Sequence, residues 1–381
     1  MDGVGAATVV GQWARNCFDI QQLGGLKEGV KTGISDVVPS SKPSSRPSAS
    51  PSKTTRLPLA FAEGEFAVSG QELDRLQKQV QLWKALGLRK PAEARVSLPT
   101  SLSKTPASSI SSAPILPDLI STVFAASKAA VAHLKAVSTP IHANESPSTS
   151  QKSLNTTFDS IAALLWRSII RARLPDLDKP DDPTAICRLR IPVSVRQALD
   201  LPREHTGNAF LHSVTELPLG ALLAPGDFGR TACPLIRSSI LAVRTPDVAR
   251  AAVALSSAVP RLLGPDRRQH ALFAEGPEGG PPSGRDLVLS SWRDLEWYRH
   301  DWGAMFAMPE GRPEFVRMPV GAYHAGLCAI LPRRIQRGEE GGSEVEDVEE
   351  VVISLTKQQM GRLEQDSEFG KYFQSVVSSK V

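Results

Sequence analysis

Cysteine is scarce in this chain. Its 381 residues include only Cys17, Cys187, Cys233 and Cys328. None forms a CxxC pair, and none stands at metal-ligand spacing from a histidine. A zinc site and a disulfide framework are therefore not expected, and the four read as reduced core thiols. Several catalytic signatures are also missing. There is no GxxxxGKS or GxxxxGKT, no GxGxxG, no HExxH and no GxSxG. This removes the sequence support for phosphate-loop enzymes, dinucleotide-binding dehydrogenases, zincins and nucleophile-elbow hydrolases. The glycine-rich run Glu275–Gly284 does not replace them, because its prolines lack the N–H donors that a phosphate cradle needs.

Charge of one sign is lacking as well. Lys and Arg number 44 against 40 Asp and Glu, a net charge of +4. The arginines are dispersed (Arg167, Arg171, Arg173, Arg188, Arg190, Arg196) and form no basic stripe, so a nucleic-acid partner is not expected. A mild positive excess still suits a ligand that carries phosphates. No apolar run approaches the roughly 20 residues of a membrane span, and the first residues lack a basic segment followed by an apolar one. A soluble, cytoplasmic and monomeric protein without membrane attachment is the expectation.

What is present is a 41% hydrophobic, 22% charged composition, ordinary for a globular protein, diluted by polar stretches. Ser and Pro dominate residues 37–56, 98–113 and 139–153, which read as loops or linkers. Between them, Val4, Ala7, Val10, Trp13, Ala14 and Phe18 lie on one face of a helix over 4–22, stopped by Gly24-Gly25. Phe61–Val68 reads as a strand. A helix follows, capped by Ser69 with Glu72 and carrying Leu73, Leu76, Val80, Leu82 and Leu86. A single helix is predicted over Pro117–Val137.

The texture changes after about residue 150. Thr157 is expected to cap a helix bearing Ile161, Leu164, Leu165, Ile169 and Ile170. Strands are expected at Ala185–Ile191, Ala209–Thr215, Asp286–Ser291, Gly326–Leu331 and Glu349–Leu355. Helices are expected near Ser238–Val259 and over Thr356–Phe373, the latter N-capped by Thr356. Interleaved strands and helices give an α/β or α+β class.

Four segments carry chemistry. They are Met1-Asp2-Gly3-Val4-Gly5; Phe158–Arg167 continuing to Arg171-Ala172-Arg173; Gly207-Asn208-Ala209; and Ser290-Ser291-Trp292 with Asp301-Trp302-Gly303. In this order they resemble the BAHD family of CoA-dependent acyltransferases, and most of all its fungal trichothecene acetyltransferase-like members. The family pattern is His-x-x-x-Asp-Gly, an Ala-rich segment ending in Trp and Ala-Arg, a Gly-Asn, then Ser-Trp and Asp-Phe-Gly-Trp-Gly.

The resemblance implies a two-domain, chloramphenicol-acetyltransferase-like architecture, each lobe a mixed sheet with helices. Residues 1–150 would be the remnant of an incomplete first lobe and 151–381 the second. It implies direct transfer of an acyl group from acyl-CoA, a co-substrate, to an acceptor hydroxyl in secondary metabolism, with no permanently bound cofactor and no metal. The motif histidine is the general base, a role suited to a group titrating near neutrality. Asp2 and Gly3 match the Asp-Gly of that motif, which is structural.

Ser290 is implied as an oxyanion donor, although a plain strand serine is an equal reading. Ser291, Trp292, Asn208 and Arg293 are implied to line the substrate and CoA channel, and Arg293 and Arg333 are offered as CoA-phosphate contacts. Solvated arginines and a core tryptophan are the ordinary readings of these residues.

The chain departs from the pattern in two places. The histidine would fall four residues before Asp2, ahead of Met1, and none of His133, His142, His205, His212, His270, His300 and His324 has an aspartate four residues on. The chain as written is therefore expected to have negligible transferase activity. In addition, Asp301-Trp302-Gly303-Ala304-Met305 stands where the family has Asp-Phe-Gly-Trp-Gly. Two alternatives stay open: an inactive paralogue that binds acyl-CoA, a metabolite or a protein partner, and an unrelated α/β protein.

Overall fold

The computed structural model describes residues 69–88, 90, 119–139, 155–177, 180–202, 205–225, 228–263, 284–303, 311–317, 327–335 and 347–376. The predicted helix over 4–22, the predicted strand Phe61–Val68 and the Ser/Pro-rich stretches, apart from Thr139, lie outside them. In chain order the elements are helices α1 (Gly70–Gln77) and α2 (Val80–Ala85), strand β1 (Leu119–Ala126), helices α3 (Lys128–Ser138) and α4 (Thr157–Arg173), and strands β2 (Ile186–Ser194) and β3 (Phe210–Pro218). Then come helices α5 (Leu219–Leu223), α6 (Phe228–Val243) and α7 (Pro246–Leu263). Strands β4 (Asp286–Ser291), β5 (Leu327–Ile330), β6 (Arg334–Ile335) and β7 (Asp347–Thr356) follow, then helices α8 (Lys357–Glu364) and α9 (Ser367–Gly370) and strand β8 (Gln374–Ser375).

The strands make one mixed sheet in the order β3-β2-β4-β5-β7-β1-β8, with β6 paired to β7. Strands β2, β4 and β5 are mutually parallel; the β2–β3, β5–β7 and β7–β1 pairs are antiparallel. The expected α/β class with a mixed sheet and helices is what the structure has.

Helix α4 forms the centre of the core. Residues Asp159–Ile170 are all buried, including Trp166, because α3, α6 and α8 pack around the helix. Its apolar residues pack on these neighbours, and two of its buried charged groups are partnered, Arg167 with Glu368 and Leu222 O and Asp159 with Arg237. Its cap is Thr156, one residue earlier than expected. The Thr156 hydroxyl accepts from Asp159 N while the Asp159 carboxylate accepts from Thr156 N, a reciprocal capping box. Asp159 also ion-pairs with Arg237 of α6 at 3.0 Å, and the carboxylate side chain is fully buried.

The sequence expectation for Pro117–Val137 fails. That segment is not one helix but strand β1 followed by α3. All eight residues of β1 pair with β7, from Leu119 opposite Thr356 to Ala126 opposite Glu349. The β-branched Ile120, Thr122 and Val123 fit a pleated surface, and sheet pairing overrides the helical spacing of the apolar positions. Ser127 then caps α3 by accepting from Ala130 N.

Three other helices are shorter than predicted. The segment beginning at Ser69 divides at Lys78-Gln79. The segment near Ser238–Val259 belongs to two helices, α6 and α7, divided at Arg244-Thr245. The segment Thr356–Phe373 divides at Gln365-Asp366, where Asp366 accepts from Glu368 N and Phe369 N to start α9. Strand β1 lies ahead of residue 150, yet it sits inside the sheet that the later strands build.

The α1–α2 hairpin closes over the β3 edge. Leu76, Leu82 and Trp83 are buried against α7, and Lys84 ion-pairs with Glu216, which also holds Arg188. Gly87, at φ 72°, lies so close to the sheet that a Cβ would stand 2.9 Å from His212 Cδ2.

Candidate functional site

The described candidates gather at one end of the sheet. Strands β2, β4 and β5 run parallel, so their carboxyl ends share an edge. Ligands of open sheets lie beyond such ends, where the following loops diverge. Ser290 and Ser291 are the last residues of β4, opposite Ala329 and Ile330 of β5. Ser290 is half-buried and Ser291 exposed. Trp292 N donates to Ile330 O at 2.8 Å, and its ring packs against Ala329, Leu331 and Val352 and near Trp297, 5.5 Å between centroids.

Asn208 reaches the same edge from the other side. Strand β3 runs antiparallel to β2, so the turn into β3 sits beside the carboxyl end of β2. Asn208 is exposed there. Arg196, 9% exposed, holds this turn: its guanidinium donates to Gly207 O at 2.7 Å and to His205 O at 3.4 Å. The sequence offers no signal that would set Arg196 apart from its neighbours.

Asp301, Trp302 and Gly303 form a closed loop. Asp301 Oδ1 accepts from Gly303 N at 2.8 Å, and Trp302 N donates to Gly311 O at 2.7 Å. Gly311, at φ 69°, has no room for a side chain: a Cβ would lie 2.4 Å from Asp301 Oδ1. Tyr298 accepts from Val316 N through its hydroxyl at 2.9 Å, tying residues 311–317 back to the segment after β4. Asp2 and Gly3 lie outside the described residues.

Arg293 is committed to the protein. Its Nε donates to Glu349 Oε1 at 2.7 Å and its Nη2 reaches the same oxygen, while Glu349 is 5% exposed. Arg333 donates to Asp294 at 2.8 Å. Beside them lies a small cavity of about 150 Å³, lined by Arg293, Asp294, Glu296, Tyr298, Arg299 and Arg333 among others. Each of its three guanidinium groups is paired with a carboxylate: Arg293 with Glu349, Arg333 with Asp294 and Arg299 with Glu296.

Nothing in the sequence marked Glu349 or its neighbour Glu350. In a run of acidic residues running into a strand, solvation is the default reading. The pair is nevertheless buried, at 5% and 2% exposure.

The described histidines hold other positions. His133 stacks on Tyr372 at 5.7 Å between centroids, and His205 lies against Gly207. His212 packs edge-on against Phe210; burial, then the charge of Arg190, pulls its pKa down to about 3, so it stays neutral at physiological pH. Burial pushes the thiols of Cys187 and Cys233 up to about 11 and 12, and raises that of Cys328. These cysteines are protonated core residues, not nucleophiles. Among the described residues no cluster of three or more His, Cys, Asp or Glu is placed to hold a metal, and no helix is long and apolar enough to cross a membrane.

The family can now be assigned. A sequence model described as the Transferase family matches residues 98–370, and the chain belongs to that family of BAHD-type acyltransferases. Among known relatives it is 26% identical over 257 residues to an eremophilane O-acetyltransferase of Penicillium rubens, covering 67% of this chain and 47% of that protein. It is 31% identical over 219 residues to a trichothecene 3-O-acetyltransferase of Fusarium sporotrichioides, covering 57% and 40%. The chain spans about half the length of the curated relatives it matches.

Among solved structures, it is similar to Fusarium graminearum TRI101 complexed with coenzyme A and T-2 mycotoxin. The TM-score is 0.49 and the identity 20%, over 80% of this chain and 63% of that one.

Proposed function

We propose that this chain belongs to an acyl-CoA-dependent O-acyltransferase of secondary metabolism, in which the end of β4 receives the thioester. The carrying observation is the family match over 98–370 together with the convergence of Ser290, Ser291, Trp292 and Asn208 on one sheet edge. The acceptor oxygen attacks the thioester carbonyl carbon, its proton passes to the general base, and the C–S bond breaks to release the CoA thiol. The Ser290 hydroxyl is the candidate donor to the oxyanion formed on the way. In the family motif that base is a histidine, and Asp2 and Gly3 are proposed as the Asp-Gly of the same motif. The acceptor is a hydroxyl-bearing natural product, of the kind named for the trichothecene and eremophilane relatives.

Isothermal titration of this polypeptide with acetyl-CoA tests the donor site: saturable binding is expected, and none up to millimolar concentration would sink the proposal. Acetyl transfer to a trichothecene alcohol, followed by mass spectrometry, tests the base. A rate lower by a factor on the order of 10²–10⁴ than that of a relative carrying the motif histidine is expected. Rapid turnover by this exact polypeptide would refute the assignment of the base to that motif.

A further inference from the structure

Two consecutive buried glutamates open the apolar part of β7, and each is held by an arginine from a different loop. Glu349 takes Arg293, which directly follows Ser290-Ser291-Trp292. Glu350 takes Arg317 of the 311–317 segment, at 2.9 and 3.3 Å. Neighbouring residues of a strand point to opposite faces of a sheet. The two loops therefore grip the start of β7 from opposite faces.

The backbone completes the arrangement: Leu331 N donates to Glu350 O at 2.8 Å, Arg333 N to Arg293 O at 3.3 Å, and Trp292 N to Ile330 O at 2.8 Å. Strand β5 lies between β4 and β7 in the sheet, so the Arg293–Glu349 pair spans a whole strand. Pairing buried charges is costly, and hydrophobic packing would serve stability equally well. What such a pair can supply is register, because a buried carboxylate accepts its arginine in a defined geometry.

We propose that Glu349 and Glu350 are positioning residues that set where the Ser290–Trp292 turn and the 311–317 loop stand around the thioester donor. This rests on the reading of the chain as an acyl-CoA site. Neither carboxylate touches the reacting atoms; each acts through its arginine.

The test is CoA titration calorimetry alongside thermal melting. Glu349→Gln and Arg293→Met are each expected to weaken CoA binding at least tenfold and to lower the melting point. The double variant Arg293→Met/Glu349→Met leaves no orphaned charge; it is expected to recover the melting point but keep the weakened affinity. Arg237→Met, which breaks the buried Arg237–Asp159 pair in the helical layer, is expected to lower the melting point and leave CoA affinity within about twofold.

The inference is overturned if the double variant recovers affinity together with stability, if Glu349→Gln binds as the wild type does, or if Arg237→Met loses affinity to the same degree. A wild-type chain that binds no CoA overturns the functional reading and this inference with it. Normal wild-type binding with unaltered variants overturns the inference alone.

Discussion

Truncating Phe124 to alanine probes the element that changed most between sequence and structure. Phe124 is 1% exposed in the middle of β1, on the side of the sheet that meets the helices. Its ring meets Phe369 edge-to-face at 5.0 Å, and Phe369 stacks on Phe373 at 5.4 Å. Phe369 opens onto this contact because Asp366 starts α9 afresh instead of continuing α8. Removing the ring forfeits its transfer energy, leaves a cavity and ends an aromatic pair, for a loss of about 3–5 kcal/mol.

That is a large share of a stability expected at about 5–15 kcal/mol. Urea unfolding followed by far-ultraviolet circular dichroism measures it, with the denaturant slope expected to stay constant. Phe369→Ala should cost a similar amount, and the double variant less than the sum, by about 0.5–1.5 kcal/mol. A loss below about 1 kcal/mol for Phe124→Ala, or full additivity with Phe369→Ala, would refute the placement of β1 against α9.

Replacing Asp159 with asparagine strands Arg237 in the helical core and should cost about 3–5 kcal/mol by chemical denaturation. Gly311→Ala forces a side chain into a left-handed backbone site and toward Asp301 Oδ1, which should destabilise that loop by about 1–3 kcal/mol and show as faster local hydrogen exchange at Trp302.

His212 supplies a pH signature. Its folded pKa, about 3, lies below the unfolded value of about 6.5, so the unfolded chain binds the extra proton. Stability from this group is complete above the unfolded pKa and drains away as pH falls from about 6.5 toward 3. Melting temperatures from pH 7 to 5 should fall more steeply for the wild type than for His212→Gln; equal slopes would contradict the burial of this imidazole.

Much of the fold was legible where a local pattern and the tertiary demand agree. Asp286–Ser291 is a strand with the predicted bounds, Thr356 caps α8 as expected, and the apolar positions of α4 announced a core helix. The same sequence determined the family through the ordered segments around Trp166, Asn208 and Trp292, because motif order is itself a property of the chain. The tertiary structure decided the rest. The segment 119–126 carries helical spacing and strand-forming residues at once, and only pairing with β7 resolves it. The roles of Glu349, Glu350 and Arg196 depend on partners 9 to 56 residues away in sequence, a separation at which no local pattern distinguishes a buried, paired charge from a solvated one.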